Sequence, residues 1–587
     1  MRNDGVKPIR SHAGTGHAFG GYFMRSTQFV LVCCASVGLA LCGSAALAQG
    51  ARNGPVLSEA ALHSYYAKIK GVAGELQDMR ADALAEGASV GASSTQQVNA
   101  DYNRRPQDEP SIGILKGTSG RDARWVVGAN DYGIGTPVGG GEYNSEGVNS
   151  FPPFPSLAID DGLGFLVGDP PGGTGDPAIA SGSTRDGKTV MYYASLAFSR
   201  SFCNNGVQVA RSFDNGFSWN RTRIPAFGAS GFVTYWSNSF DCSVFNDKEY
   251  IAVDNTGGPH DGRVYVSWTL FLNDATGSYQ ESAIYLAYSD DYASTFSAPI
   301  RISGKSASLC PNHSNAASGP TECNEDQFSS PQVLPNGDVA VSFENGNGAG
   351  FLAARGQMLL TVWSATSGTV VGPYQIAPMV FDGIPDYPLT TDGSRQTFCN
   401  SNFRNGTNGN LATDGLGNLY FAYFDDKKHA GEFAGPVKVG AASTGFACPA
   451  GKVTDTDIYV LTSRDGGVTW SDMTPPSGHA AHDQFWPWVA ASGDHVAVVF
   501  NDRSGDPANK LVATSLAKKR HHDGWNTRVI SDFSSNFDNA FFGAGTFAGD
   551  YINLALDSAG KAHAVWTCVA PGKFDSDICG NQHRGDE

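Results

Sequence analysis

The chain has 587 residues, is 41% hydrophobic, 11% aromatic and only 17% charged, and carries 72 glycines and a formal net charge of -17. Length alone allows two to four domains, and the chain can bury a sizeable core without metals. The acidic balance repels phosphate backbones and argues against nucleic acid as a partner. Abundant glycine and aromatics favour short strands and tight turns over long charged helices.

Arg25 precedes an apolar stretch from Phe29 to Ala45, and Ala46-Leu47-Ala48 stands before Gln49. A basic flank, an apolar run and a small-x-small site predict a secretory signal peptide over residues 1–48, counting a preamble before Met24. An uncleaved anchor is the rival reading, because the run is nearly long enough to span a membrane. No later stretch is long and apolar enough to do so. The mature chain is expected to be secreted or periplasmic, without a transmembrane segment, and monomeric.

Cysteine usage fits export. Cys33, Cys34 and Cys42 fall in the signal, leaving Cys203, Cys242, Cys310, Cys323, Cys399, Cys448, Cys568 and Cys579. An even count in an exported chain predicts disulfides. Neighbour pairing gives 203–242, 310–323, 399–448 and 568–579 on proximity alone. Metal binding is the rival reading, without a C-x2-C spacing to carry it.

Residues 49–97 read as a helical segment and linker: Leu57, Ala61, Tyr65, Ile69 and Val72 recur at helical spacing, and Ser58 is placed to cap them. From residue 98 to 587 the texture changes to short β runs and Gly/Asp/Asn turns. One phrase recurs there, a polar start, an apolar strand, a turn and a second strand. Its starts are Glu109, Asp176, Asp247, Asp326, Asn410, Asp483 and Asp550, spaced by about 67–84 residues. Repetition on this scale marks a repeat architecture. Between them lie Ser212-Phe-Asp214-Asn-Gly216-Phe-Ser-Trp219, Ser463-Arg-Asp465-Gly-Gly467-Val-Thr-Trp470 and a degenerate copy, Ser289-Asp-Asp291-Tyr-Ala-Ser-Thr-Phe296.

The S-x-D-x-G-x-x-W pattern resembles the Asp-box, or BNR repeat, of the sialidase-like β-propellers. The resemblance covers about residues 98–580 and is strongest to secreted bacterial proteins labelled exo-α-sialidase. It implies an all-β fold, a single β-propeller of four-stranded blades. Seven starts are counted; six blades result if the first and last partial units merge. It also implies that the boxes join third and fourth strands and are structural, and that Val98 to Tyr102 completes the last blade.

On that topology the acidic starts and the second-strand ends, which include Asp131, Asp502 and Arg503, gather at one mouth of the central channel. Two readings stay open. Each carboxylate ties neighbouring blades together, or the acids line a polar mouth in which crowding raises a pKa and prepares a general acid. Asp326 and Asp483 are the candidate catalytic acids. Glu109, Asp176, Asp247, Asp550, Asp131, Asp502, Arg503, Arg404 and Trp486 are the candidate ligand contacts, Trp486 by stacking on a sugar ring. No cofactor or metal is expected; calcium has no D-x-D-x-D loop to specify it.

The resemblance further implies three arginines gripping a substrate carboxylate, an Asp acid/base and a Tyr/Glu nucleophile pair. The family's first arginine lies ahead of the first box. Here Arg223-Ile224-Pro225 follows it, where a fourth strand is expected, and no tyrosine is singled out among 21. The function implied is action on extracellular glycans, as an exo-glycosidase; the alternative is a carbohydrate- or protein-binding scaffold.

Overall fold

The computed structural model describes residues 95–98, 107–131, 139–144, 173–198, 205–216, 219–223, 244–274, 279–311, 319, 321–346, 356–379, 397–406, 408–429, 453–473, 475–542 and 545–582. The expected signal peptide over residues 1–48, most of the expected helical segment and linker over residues 49–97, and Cys203, Cys242 and Cys448 lie outside them. Among the described residues all regular structure is strand apart from three short 3-10 turns. None of their helices is long and apolar enough to cross a membrane.

The strands form consecutive antiparallel sheets. The first is β2 (Gln107–Ile114), β3 (Arg124–Asp131) and β4 (Gly139–Asn144); the second is β5 (Gly173–Ser183), β6 (Thr189–Phe198), β7 (Asn205–Ser212) and β8 (Asn220–Arg223). Next come β9 (Val244–Val253), β10 (Val264–Asn273), β11 (Tyr279–Ser289) and β12 (Ile300–Arg301), then β13 (Asp326–Val333), β14 (Val339–Asn345), β15 (Gln357–Trp363) and β16 (Val370–Pro378). They are followed by β17 (Gly409–Thr413), β18 (Leu419–Asp425), β19 (Asp457–Ser463) and β20 (Ser471–Asp472), and by β21 (Gln484–Ser492), β22 (His495–Asp502), β23 (Ala513–Arg520) and β24 (Asn526–Val529). A hairpin of β25 (Phe541–Phe542) and β26 (Gly545–Thr546) leads to β27 (Asn553–Leu556), β28 (Ala562–Cys568) and β29 (Asp577–Gln582).

This is a β-propeller. The first strands β2, β5, β9, β13, β17, β21 and β27 adjoin one another in turn, and β27 returns to β2. Six sheets are four-stranded; β2–β4 has three described strands and fills the remaining sector. The ring closes through β1 (Thr95–Gln97), which pairs with β29 and supplies the fourth strand of the last sheet. Val98 continues the pairing by donating its N–H to Ile578 O at 2.6 Å. The closing strand therefore lies just ahead of the expected Val98–Tyr102 segment. Closure removes open sheet edges that would pair with other chains.

Burial falls from the first strand to the fourth in the sheets β9–β12, β13–β16, β17–β20 and β21–β24. Every residue of β9 is buried, whereas all of β24 is exposed. First strands are covered on both faces, so they tolerate runs of apolar residues where an edge strand would need alternation. The disulfides Cys310–Cys323 and Cys568–Cys579 are two of the neighbour pairs. Cys399 is also disulfide-bonded.

The three S-x-D loops share one hydrogen-bond pattern. Ser212, Ser289 and Ser463 Oγ donate to Asp214, Asp291 and Asp465 Oδ1 at 2.7, 2.8 and 2.8 Å. The same hydroxyls accept from the N–H of Gly216, Ala293 and Gly467 at 2.8, 2.8 and 2.9 Å. The turns therefore satisfy their own donors. Trp219 packs edge-on against Tyr193, and Trp470 donates Nε1 to Gly467 O at 2.9 Å. Arg223 ends β8, the fourth strand of its sheet.

Gly467 is the position in its turn where a side chain would not fit. Its φ is +94°, and a Cβ there would sit 2.6 Å from Leu360 Cδ2 in the preceding blade. Gly467→Ala is expected to cost about 1–3 kcal/mol of stability through strain and overpacking. Chemical denaturation reads the effect as a lower midpoint at unchanged slope; an unmoved midpoint would refute this account of the turn.

Candidate active site

The site begins with a repeated irregularity of the first strands. In β2, β5, β9, β13 and β21 the ladder to the second strand skips two residues. At each skip one residue adopts positive φ: Glu109 (53°), Asp176 (56°), Lys248 (47°), Phe328 (53°) and Trp486 (49°). Bulges of this kind re-aim side chains and increase local twist. They also define which residues are equivalent. Asp247, Asp326 and Asp483 stand one, two and three places before the bulge position that Glu109 and Asp176 occupy. The regular ring of acids expected from the repeat phrase is therefore broken into local clusters.

The first cluster lies where β2, β5 and β9 meet the segment leading into β27. Glu109 Oε2 accepts from Asn130 Nδ2 at 2.6 Å, and Oε1 from the Asp550 N–H at 3.1 Å. Asn130 Oδ1 accepts from the Asp176 N–H at 2.9 Å. Three blade edges are thus stitched together by two side chains. Gly549, with φ +92°, lets the chain pass Glu109: a Cβ there would meet Glu109 N at 3.0 Å. Asp550 accepts from Arg404 Nη2 at 2.5 Å, both side chains being buried.

Beside these ties stand groups that are buried and have no hydrogen-bond partner among the described residues: Lys248 Nζ, both Glu249 carboxyl oxygens and the Tyr551 hydroxyl. Lys248 Nζ lies 3.5 Å from the Tyr551 ring centroid and 5.7 Å from that of Tyr250. Trp488 packs 5.3 Å from Tyr250 and 6.1 Å from Tyr551, centroid to centroid. Tyr250 hydroxyl accepts from Asn553 Nδ2 at 3.1 Å.

Electrostatics follow from burial. Desolvation pushes the Glu109 carboxyl well above the usual carboxylate range, and the charges of Asp176, Asp550 and Asp108 push it further. Glu249 is raised in the same way, by burial first and Asp176 second, with Lys248 opposing. Tyr551 is raised by burial and then by Glu109, Asp176 and Glu249. Burial thus shifts both carboxyls toward the protonated form, the direction a general acid requires.

The second cluster surrounds Asp483. Its oxygens accept from Thr454 Oγ1 at 2.8 Å, Asn509 Nδ2 at 2.9 Å, Thr456 N at 3.2 Å and Arg503 Nη1 at 3.4 Å. Arg503 also donates to Asn509 O at 3.1 Å and Ser401 Oγ at 2.8 Å, and lies over the rings of Phe398, Phe403 and Phe485. Burial raises Asp483 and lowers Arg503 despite their pairing. Here the arrangement is that of a blade-to-blade tie.

The third cluster holds Asp326, which accepts from Asn345 Nδ2 at 2.7 Å. Burial drives Asp326 up to about 8, and burial with the Asp326 charge drives Glu325 up to about 8. The folded protein therefore holds protons on both residues from about pH 4 to about pH 8, where the unfolded chain has released them. Stability is fully present below the unfolded value and is lost as pH rises across that window. Each pKa unit is worth about 1.4 kcal/mol. Thermal unfolding at pH 5 and at pH 8.5 should show the lower midpoint at pH 8.5, with Asp326→Asn reducing the difference. A midpoint that rises over this interval would contradict the assignment.

The other expected contacts separate. Asp247 is buried on β9 opposite Thr269. Asp502 accepts from Ser504 N and Ser515 Oγ at 2.9 and 2.7 Å. Asp131 closes β3 opposite Gln107. Trp486 is fully buried, stacked on Phe537 and edge-on to Phe403 and Phe485, so its faces are taken by protein. Lys248, Glu249 and Tyr551 were missed by the sequence reading. Their signal is a charged Lys-Glu pair inside a strand that is otherwise suited to complete burial. Among the described residues no group of three or more His, Cys, Asp or Glu is placed to hold a metal ion.

No family model matches the chain, and no curated protein does. Among solved structures it is similar to a protein of unknown function from Dyadobacter fermentans, at 10% identity over 69% of this chain and 93% of that one, with a TM-score of 0.37. Trypanosoma rangeli sialidase matches at 10% identity over 69% of this chain and 53% of its own, TM-score 0.35. An α-L-arabinofuranosidase from Fusarium graminearum matches at 11% identity over 69% and 92%, TM-score 0.35. The chain spans about half the length of the trypanosomal enzyme.

Proposed function

We propose that the protein is an exported glycoside hydrolase of the propeller type, acting on extracellular glycans through the axial cluster of Glu109, Glu249 and Tyr551. One observation carries the reading: Glu249 is buried, raised, and without a hydrogen-bond partner among the described residues, and its charge reaches the hydroxyl of Tyr551, whose ring packs against Trp488. A buried acid with neither oxygen hydrogen-bonded costs stability, and such groups concentrate where chemistry uses them. Glu249 serves as the general acid. Its proton passes to the glycosidic oxygen as the bond to the anomeric carbon breaks, and water completes the cleavage. Tyr551, whose hydroxyl feels the charges of Glu109 and Glu249, is the tyrosine a Tyr/Glu pair would use. The Asp-box label, the signal peptide and a secreted or periplasmic site belong to the same proposal; the two disulfides accord with an oxidising compartment.

The test is hydrolysis of a fluorogenic glycoside panel, sialosides included, by the purified chain with calcium and with chelator. Cleavage of any member supports the reading. A blank panel from a folded, disulfide-bonded sample overturns it in favour of a binding scaffold.

A further inference from the structure

We infer that the seam where the last sheet meets the first is an acid-sensitive latch: a proton taken up by His563 draws Asp557 off Gly120 and loosens the ring closure there. The latch does not depend on the hydrolase reading. The seam joins β2 to β27, β28 and β29, from opposite ends of the chain. At one end Glu109 Oε1 accepts from the Asp550 N–H. At the other, Asp557 Oδ2 accepts from the Gly120 N–H at 2.7 Å, across 437 residues. Asp557 Oδ1 accepts from the N–H groups of Ala559 and Lys561, each at 2.9 Å, and so closes the turn between β27 and β28. One buried carboxylate both shapes the last hairpin and fastens the first sheet to it.

His563 stands beside this carboxylate on β28. It is 2% exposed, and its Nε2 lies 3.5 Å from Asp557 Oδ2, beyond hydrogen-bond length. Neither ring nitrogen has a hydrogen-bond partner among the described residues. A neutral imidazole therefore leaves Oδ2 to Gly120. An imidazolium in the same place is a charge-assisted donor, roughly twice as strong as a neutral amide, aimed at the oxygen that the amide already uses. Closing the gap pulls that oxygen toward His563. Burial opposes the proton and holds His563 below the usual imidazole range, with Asp557 acting against that shift and Lys561 with it. A histidine held below its unfolded value weakens the fold as pH falls through the unfolded value, about 6.5. Asp557 and Lys561 belong to its own hairpin. β2 carries Asp108 and Glu109 and β29 carries Asp577, which pairs with Cys568 at the opposite end of β28 from His563. The turn after Gly120 carries Asp122 and Arg124, and His495, beside Asp494, packs against Gly560.

The experiment is amide hydrogen exchange of the whole protein, read by mass spectrometry at pH 7.5 and pH 5.5 with times scaled for the intrinsic rate. Protection of the segments holding Gly120 and residues 557–561 should fall by about tenfold at pH 5.5, while that of β9 does not fall. General weakening of the fold has the opposite sign, because Glu325 and Asp326 favour the folded state on the acid side. His563→Gln carries no charge at either pH and should give Gly120 the same protection at both. Exchange of the imidazole C2–H follows the titration of His563 in the unaltered protein, so the test survives a variant that does not fold. Its midpoint should lie below about 6.5 and coincide with the loosening of the seam. Seam protection that holds or rises at pH 5.5, loosening that persists in His563→Gln, or loosening at a pH other than that of the His563 titration would each overturn the inference.

Discussion

Glu249→Gln is expected to lower glycoside hydrolysis by about 10²–10⁴-fold while the protein stays folded, the usual scale for removing a positioned general acid. The two halves of this expectation have separate causes. Glutamine has the shape of a protonated glutamic acid and no proton to give at the pH of the reaction. Because neither Glu249 oxygen has a hydrogen-bond partner among the described residues, the new amide breaks no existing contact. Glu109 offers no such clean substitution: its two oxygens already accept from Asn130 and from the Asp550 N–H. An amide there would turn one acceptor into a donor facing a donor. The measurement is kcat/KM on the best substrate of the panel, with denaturation midpoints run in parallel. A variant that retains full activity would remove Glu249 from the mechanism.

Arg503→Ala carries the largest expected stability loss, roughly 3–5 kcal/mol, as is usual when one partner of a buried ion pair is deleted. The remaining Asp483 would be buried with Thr454, Thr456 and Asn509 but without its cation. The guanidinium also fills the space between Phe398, Phe403 and Phe485, so the alanine leaves a void among aromatic rings. Adding Asp483→Asn to Arg503→Ala should recover part of the loss, because it removes the uncompensated charge and leaves the void. Urea denaturation of the two single variants and the double variant closes the cycle. A loss below about 1 kcal/mol for Arg503→Ala would show that the pair is not the tie described here.

The fold was largely legible in the chain. The starts Glu109 to Asp550 and their second strands recur because each blade is the same hydrogen-bonded unit, and a period in sequence survives as a period in space. The second strands read from Trp125, Thr189, Arg263, Asp338, Asn418, His495 and Ala562 all form, three of them starting one residue later, at Val264, Val339 and Leu419. The S-x-D loops were readable for a similar reason: serine, aspartate and glycine close their turns within a few residues, so the sequence window contains the whole interaction.

The site was not legible in the same way. Asp483 and Asp326 look equivalent to Glu109 in the repeat phrase, yet two-residue bulges shift the register and send them into different environments. Arg404 and Arg503 read as anion grips from their composition. Only the approach of Asp550, 146 residues away, and of Asp483 across a turn shows that both are spent within the protein. Trp486 reads as a sugar platform until Phe537 is found stacked on it. Lys248, Glu249 and Tyr551 become neighbours through ring closure, which brings β27 beside β2 from opposite ends of the chain. Local hydrogen bonding and repetition are written along the sequence. Burial, charge balance and the identity of unpartnered groups depend on which distant strands share the axis, and tertiary packing alone decides that.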